Sequence, residues 1–271
     1  KKEDETMSIL ETKQISIGYG TKKVLEHISL RFDVPEIVSI IGPNGSGKST
    51  LVKALAGVLP ALEGEVLFQN KEIYSISERI KSQQISYLPQ IVEAPPDMLV
   101  KELVMYGRMP YQSLFSEADD KDRELVAWAL QETALQQLKN RRIGSLSGGE
   151  KQRAWIAMAL AKQPKVLILD EPTTYFDIKH QMSLMELVTS LYQKMNILIL
   201  MVMHDLNYAA RYGYRLIALK NGQIMADGTC EEVFCPEVLE PLYGIQVKIL
   251  KENIGQKDHL LCCLLYTSPA H

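Results

Sequence analysis

Two glycine-rich segments and one pair of adjacent carboxylates supply the groups with which a chain handles phosphate. Gly42-Pro43-Asn44-Gly45-Ser46-Gly47-Lys48-Ser49 fits the pattern G-x-x-x-x-G-K-[ST]. In such a loop, residues without side chains let consecutive backbone N–H groups curl around the β- and γ-phosphates of a nucleotide, and the helix that follows aims its positive end at them. Lys48 is expected to reach the β/γ oxygens as a point charge, the Ser49 hydroxyl to ligate Mg²⁺ beside them, and Thr50 to complete the nucleotide-binding set. Farther along, Lys165-Val166-Leu167-Ile168-Leu169-Asp170-Glu171 ends an apolar run in two acids. Asp170 is expected to hold the Mg²⁺ shell and Glu171 to polarise the attacking water, so the chemistry is hydrolysis of ATP. Adjacent acids could also begin a surface turn, but that leaves the apolar run before them unexplained. Leu146-Ser147-Gly148-Gly149-Glu150 is a second glycine-rich anion site.

The elements that must position these residues are visible around them. Ile37-Val38-Ser39-Ile40-Ile41 reads as the strand before the loop and Leu51 to Leu59 as the helix after it. The run before Asp170 reads as a buried parallel strand whose C-terminal end carries the chemistry. Ser147-Gly148-Gly149-Glu150 has capping-box spacing, with Ser147 as N-cap and Glu150 at the third helical position. Good helix formers follow from Lys151 to Ala161, and the glycines leave the first amides open to an anion. Antiparallel strands are expected from Leu10 to Phe32 and from Glu65 to Tyr74. Between Gln90 and Ser147 the pattern turns helical, over Met98–Tyr106 and Asp119–Thr133, punctuated by Pro95-Pro96 and Gly107-Arg108-Met109-Pro110-Tyr111. The fold class is α/β: a phosphate-loop NTPase core of mostly parallel sheet, an N-terminal antiparallel β subdomain and an inserted helical subdomain.

Taken together and in order, these motifs resemble the ATP-binding subunit of the ABC transporter family, from about Ile9 to about Val247. The resemblance implies further roles. Tyr19 sits where the family has an aromatic that stacks on adenine. Gln90, after Ile85-Ser86-Tyr87-Leu88-Pro89, matches the glutamine that touches Mg²⁺ and senses nucleotide. His204, closing Ile197–Met203, matches the histidine that contacts the γ-phosphate and helps orient Glu171. Asp177 matches the loop that couples the two subunits' sites. Singly, Tyr19 could be a half-buried strand residue, Gln90 a loop residue and His204 a structural histidine; their joint order makes them functional. Two phosphate sites on one chain would be redundant, and the resemblance resolves this: two copies pack head to tail, so that each ATP lies between one chain's Lys48 loop and the other's Ser147 helix. It also implies integral membrane permease subunits, whose helix the helical insert would receive, and indirectly a substrate-binding protein. This chain has Glu150 where the family most often has glutamine and Phe176 where it has leucine; neither change removes a phosphate ligand.

Composition fits one compact enzyme domain. The chain has 271 residues, 46% of them hydrophobic, and a formal net charge of −3, which argues against a nucleic-acid partner. Cys230, Cys235, Cys262 and Cys263 show no paired C-x-x-C spacing, and scattered cysteines suit a reducing compartment. No signal peptide is visible, and the longest apolar stretches fall far short of the roughly 20 residues that span a bilayer. Attachment to the cytoplasmic face of the cell membrane, as a peripheral subunit, is therefore expected through a partner.

The domain is expected over residues 8–247, with its helical subdomain at about 91–163. Residues 1–7 read as an upstream or disordered tail with Met7 as a plausible start, and 248–271 as a C-terminal tail. Cys263-Leu264-Leu265-Tyr266-Thr267-Ser268-Pro269 resembles the translation of a transposon adapter used in sequencing libraries; a genuine apolar tail is the alternative. Within the family, Asp170–Gln181, Arg211-Tyr212 and Gly107–Pro110 look like the importers for iron(III)–siderophore complexes. Near relatives carry haem or cobalamin, and the nearest competitor outside transport is an iron–sulfur cluster assembly ATPase.

Overall fold

A computed structural model describes residues 7–112, 118–174, 177–254 and 257–265. Lys1–Thr6, Phe176 and Tyr266–Pro269, all named above, lie outside them. Contacts divide the chain into two units, residues 1–72 with 200–271 and residues 73–199. The first begins with β1 (Leu10–Tyr19), β2 (Lys22–Phe32), β3 (Ile37–Ile41), α1 (Lys48–Leu55), β4 (Glu63–Phe68) and β5 (Lys71–Glu72). The second contains α2 (Glu78–Gln84), β6 (Ile85–Leu88), α3 (Val100–Tyr106), α4 (Asp120–Glu132), α5 (Gly148–Ala161), β7 (Val166–Asp170) and α6 (Ile178–Met195). The boundary falls within β8 (Leu198–Val202). The first unit then resumes with α7 (Leu206–Tyr212), β9 (Arg215–Lys220), β10 (Gln223–Thr229), α8 (Cys230–Val233), α9 (Pro236–Tyr243), β11 (Gln246–Ile254) and β12 (Lys257–Leu265).

In the first unit an antiparallel sheet runs in the order β2-β1-β4-β5, the expected N-terminal β subdomain. Where one long strand could be read from Glu65 to Tyr74, Gln69 and Asn70 turn the chain at φ 50° and 59° between β4 and β5. Every residue of β3 is buried, and β3 pairs in parallel with β9, whose other edge pairs antiparallel with β10. A strand covered on both faces is near-continuously apolar rather than alternating, and Ile37–Ile41 carries one small polar residue, Ser39, with no polar period. α1 starts at Lys48 and stops at Leu55, shorter than the apolar run suggests, because Ala56 and then Gly57, at φ 67°, close it. Strands β11 and β12, most of whose residues were set aside above as a tail, pair register by register from Gln246↔Leu265 to Ile254↔Lys257. That hairpin is joined to α7 by two reciprocal hydrogen bonds, Cys262 N to Asn207 Oδ1 at 2.7 Å and Asn207 Nδ2 to Cys262 O at 3.5 Å.

In the second unit β6 and β7 pair in parallel, Ile85 opposite Val166 through Leu88 opposite Leu169. Helix α5 packs against α3, α4 and β6, and Ser86 Oγ donates to Ala159 O at 3.2 Å. Helices α3, α4 and α5 form the expected helical insert. A buried ion pair fastens it: Arg108 Nε donates to Asp122 Oδ1 at 2.8 Å and Arg108 Nη1 to Ala161 O at 2.6 Å, with both partners nearly inaccessible. Burial alone would raise the Asp122 carboxyl, but hydrogen bonds from Arg108 and Gln112 outweigh it and hold the group below its ordinary value. A Cβ on Gly107 would fall 2.1 Å from Met158 O, so glycine lets this turn lie against α5. Gly107 and Arg108 are thus internal fasteners of the insert. No helix among the described residues is long and apolar enough to cross a membrane.

Candidate functional site

The phosphate loop leaves the buried end of β3. Gly42, Gly45 and Gly47 stand at φ 147°, 78° and 104°, conformations that other residues adopt only with strain. A Cβ on Gly42 would lie 2.0 Å from Leu219 O, and one on Gly47 would lie 2.6 Å from Leu25 Cδ2. Ser46 N donates to Pro43 O at 3.2 Å, and Gly222 N, in the β9–β10 turn, donates to Ser46 O at 3.1 Å. Lys48 Nζ reaches back to Gly42 O at 2.8 Å and Pro43 O at 3.0 Å, holding the ammonium inside the curl. Gly47 precedes α1 without a capping side chain, as a helix end that receives an anion requires. The Ser46 hydroxyl is buried with no protein partner, a polar atom that a phosphate oxygen would satisfy. Asn44 and Gly45 are exposed at the loop tip, Ser49 is partly buried and Thr50 is buried.

Tyr19 stands at the tip of the β1–β2 hairpin with 52% of its surface exposed. Gly20 turns the chain there at φ 60°, and a Cβ on Gly18 would lie 2.0 Å from Lys22 O. Two glycines therefore fold the hairpin tightly and leave the ring free to stack. His204 is exposed one residue beyond Met203, whose N–H donates to Ile40 O at 3.0 Å. Asp205 behind it caps α7 through Tyr208 N at 3.0 Å.

In the second unit, β7 ends in Asp170, which is buried and accepts a hydrogen bond from Tyr87 OH on β6 at 3.3 Å. Glu171 follows at φ 53°, a left-handed conformation that costs a residue with a side chain about 1–3 kcal/mol and clusters at functional positions. Gln90 Nε2 donates to Glu171 Oε2 at 2.5 Å, and Thr174 Oγ1 donates to the same oxygen at 3.2 Å. Gln90 and Glu171 carry separate expected roles; here they touch.

Helix α5 begins as the capping box anticipated. Glu150 N donates to Ser147 Oγ at 3.3 Å, and Ser147 N donates to Glu150 Oε2 at 2.8 Å. The Ser147 amide, and then its hydroxyl, hold the Glu150 carboxyl below its ordinary value. Gly148 and Gly149 form the first two helical positions, and a Cβ on Gly149 would fall 2.6 Å from His180 Cδ2. His180 belongs to α6, whose N-cap is Asp177: His180 N donates to Asp177 Oδ1 at 2.8 Å, and His180 Nδ1 lies 2.7 Å from the same oxygen. These bonds, the backbone one first, keep the Asp177 carboxyl below its ordinary value.

Three side chains around these groups went unassigned in the sequence. Tyr87 carries no local signal; the parallel register that sets it opposite Ile168 brings it toward the strand end. Thr174 stands three residues after Glu171, within reach of a turn. His180 carries the same spacing from Asp177, the ordinary reach of an N-cap.

A sequence model of the ABC transporter family matches residues 25–174. The chain is 41% identical over 260 residues to the iron(3+)-hydroxamate import ATP-binding protein FhuC of Bacillus subtilis (strain 168), covering 96% of each. It is 38% identical over 251 residues to the ferric enterobactin transport ATP-binding protein FepC of Escherichia coli (strain K12), covering 93% of each. Among solved structures it is similar to the ATP-binding cassette MJ0796, in a dimeric post-hydrolysis state bound to ADP and Pi. There the TM-score is 0.71 at 28% identity, over 82% of this chain and 98% of that one. The phosphate loop, the carboxylate-ended strand and the capped glycine helix are the parts such a cassette needs, and the chain belongs to the ABC transporter family as an ATP-binding, ATP-hydrolysing cassette.

Proposed function

We propose that the chain binds and hydrolyses ATP to power uptake of iron(III)–siderophore complexes across the cytoplasmic membrane. Gly42–Thr50 bind the phosphates, with Lys48 donating to the β/γ oxygens, and Tyr19 stacks on adenine. Ser49, Asp170 and Gln90 would hold Mg²⁺. Among the described residues no cluster of three His, Cys, Asp or Glu gathers as a metal cage, and one carboxylate with a hydroxyl and an amide suits an ion that takes its remaining ligands from phosphate and water. Bound there, the ion would neutralise charge on the phosphates. Glu171 accepts the proton of the water that attacks the γ-phosphorus as the bond to ADP breaks, and His204 helps orient it. The observation that carries the chemistry is the Gln90 to Glu171 hydrogen bond at the end of the strand that bears Asp170.

Ser147, Gly148 and Gly149 serve the ATP of a second copy packed head to tail, with Asp177 coupling the two sites. The cassette works as a peripheral subunit at the cytoplasmic face, on integral permease subunits supplied by a substrate-binding protein. The cargo assignment rests on the ferric hydroxamate and ferric enterobactin importers to which the chain is 41% and 38% identical. Deleting the gene in its host should abolish growth on ferric hydroxamate or catecholate siderophores as sole iron source, while sparing growth on haem. Loss confined to haem or cobalamin would reject the cargo and leave the ATPase untouched.

A further inference from the structure

The first amide of the phosphate loop is held by a residue 201 positions away. Gly42 N donates to the phenol oxygen of Tyr243, the last residue of α9, at 3.0 Å. That helix is itself anchored. Leu239 and Leu242 are buried, Gly244 at φ 70° closes the helix with its N–H on Glu240 O at 2.7 Å, and Glu240 Oε1 accepts from Val247 N at 3.0 Å. Lys220 Nζ, at the end of β9, donates to Pro241 O. Burial is the largest influence on the phenol and pushes its pKa up to about 12, so it remains a neutral hydroxyl.

The loop needs such a tether because of what makes it a loop. Gly42 at φ 147° has no Cβ to restrict it, and only outside contacts can select one orientation of the peptide that enters the curl. On the far side Gly222 N holds Ser46 O. On the entry side Lys48 Nζ holds Gly42 O, and the Tyr243 hydroxyl holds Gly42 N. We propose that Tyr243 is a positioning residue of the phosphate loop, its hydroxyl fixing the Gly42 peptide and with it the curl of the amides that receive phosphate. The proposal rests on the nucleotide-binding reading of that loop and adds α9 to the parts that set nucleotide affinity.

The test is titration of the full chain with the fluorescent analogue MANT-ATP. Tyr243→Phe keeps the ring and removes the oxygen, so Kd should rise about three- to tenfold, the worth of one hydrogen bond, with little change in the thermal midpoint. Amide exchange in the peptide that contains Gly42 should speed up in the same variant. Leu130→Ala opens a cavity under α4 of the helical insert, an element that carries neither the loop nor the hydroxyl; it should lower the thermal midpoint and leave Kd within about twofold. A wild-type Kd in Tyr243→Phe, or an equal loss of affinity in Leu130→Ala, overturns the role. A wild-type chain that failed to bind MANT-ATP would sink the nucleotide reading and this role with it.

Discussion

Around Gly42–Lys48 the contacts that shape the loop each engage its main chain: Ser46 N on Pro43 O, Gly222 N on Ser46 O, Lys48 Nζ on Gly42 O and Gly42 N on the Tyr243 hydroxyl. Around Asp170 and Glu171 they run from side chain to side chain, with Tyr87, Gln90 and Thr174 each donating to a carboxylate oxygen. The two regions therefore fail in different ways. The loop is sensitive to added atoms, since a Cβ at Gly42 would run into Leu219 O and Gly47 holds a φ of 104° that a side chain strains. The strand end is sensitive to loss of single polar atoms, because a carboxylate positioned by side chains loses its aim when one is trimmed. Affinity should follow the first region and chemistry the second.

The sharpest separation is expected from Glu171→Gln, which keeps size and hydrogen bonding but cannot take a proton. Turnover should fall by about 10²–10⁴ while ATP binding persists and an ATP-bound dimer accumulates, as read by a steady-state phosphate assay and size exclusion. Near-normal turnover would remove Glu171 from the chemistry. Lys48→Ala should do the converse, weakening MANT-ATP binding about ten- to hundredfold through loss of a charge-assisted contact; unchanged affinity would break the division between the regions.

Smaller effects sharpen it further. Tyr87→Phe removes the hydroxyl on Asp170 and should lower turnover about two- to tenfold with nucleotide affinity nearly unchanged. A loss of affinity without loss of turnover would place Tyr87 with the loop instead. The smallest expected effect concerns the start of α5. A carboxyl held below its ordinary value of 4.5, as Glu150 is, adds stability that is fully present above that value and is lost as pH falls through the lower folded-state value. Glu150→Gln should therefore flatten the fall of the thermal midpoint between about pH 5 and pH 3. An identical acid slope in the variant would show that the capping carboxylate contributes nothing.

Much of the site was legible because its parts obey short-range rules. Ser147 and Glu150 reach each other within one helical turn, so their spacing alone predicted the capping box that the hydrogen bonds display. The glycines at 42, 45 and 47 were readable for the same reason, since backbone freedom belongs to the residue itself. The hairpin of β11 and β12 escaped because an apolar stretch after a charged one reads equally as a tail, and its register was settled only by pairing with a strand that no local rule identifies. Helix α1 escaped in part: its apolar residues run on past Leu55, and the stop at Gly57 is a choice of backbone conformation that periodicity does not register.

Composition, glycine spacing and the carboxylates at the end of an apolar run determined on their own that the chain handles nucleotide phosphate. Tertiary structure alone decided what holds those groups still. Tyr87 finds Asp170 across 83 positions, Gln90 finds Glu171 across 81, and Gly42 finds Tyr243 across 201. Such contacts are made only after the chain has met the entropy of closing long loops through buried strands and helices. No local pattern can encode them, because the energy that selects them comes from packing of the whole core.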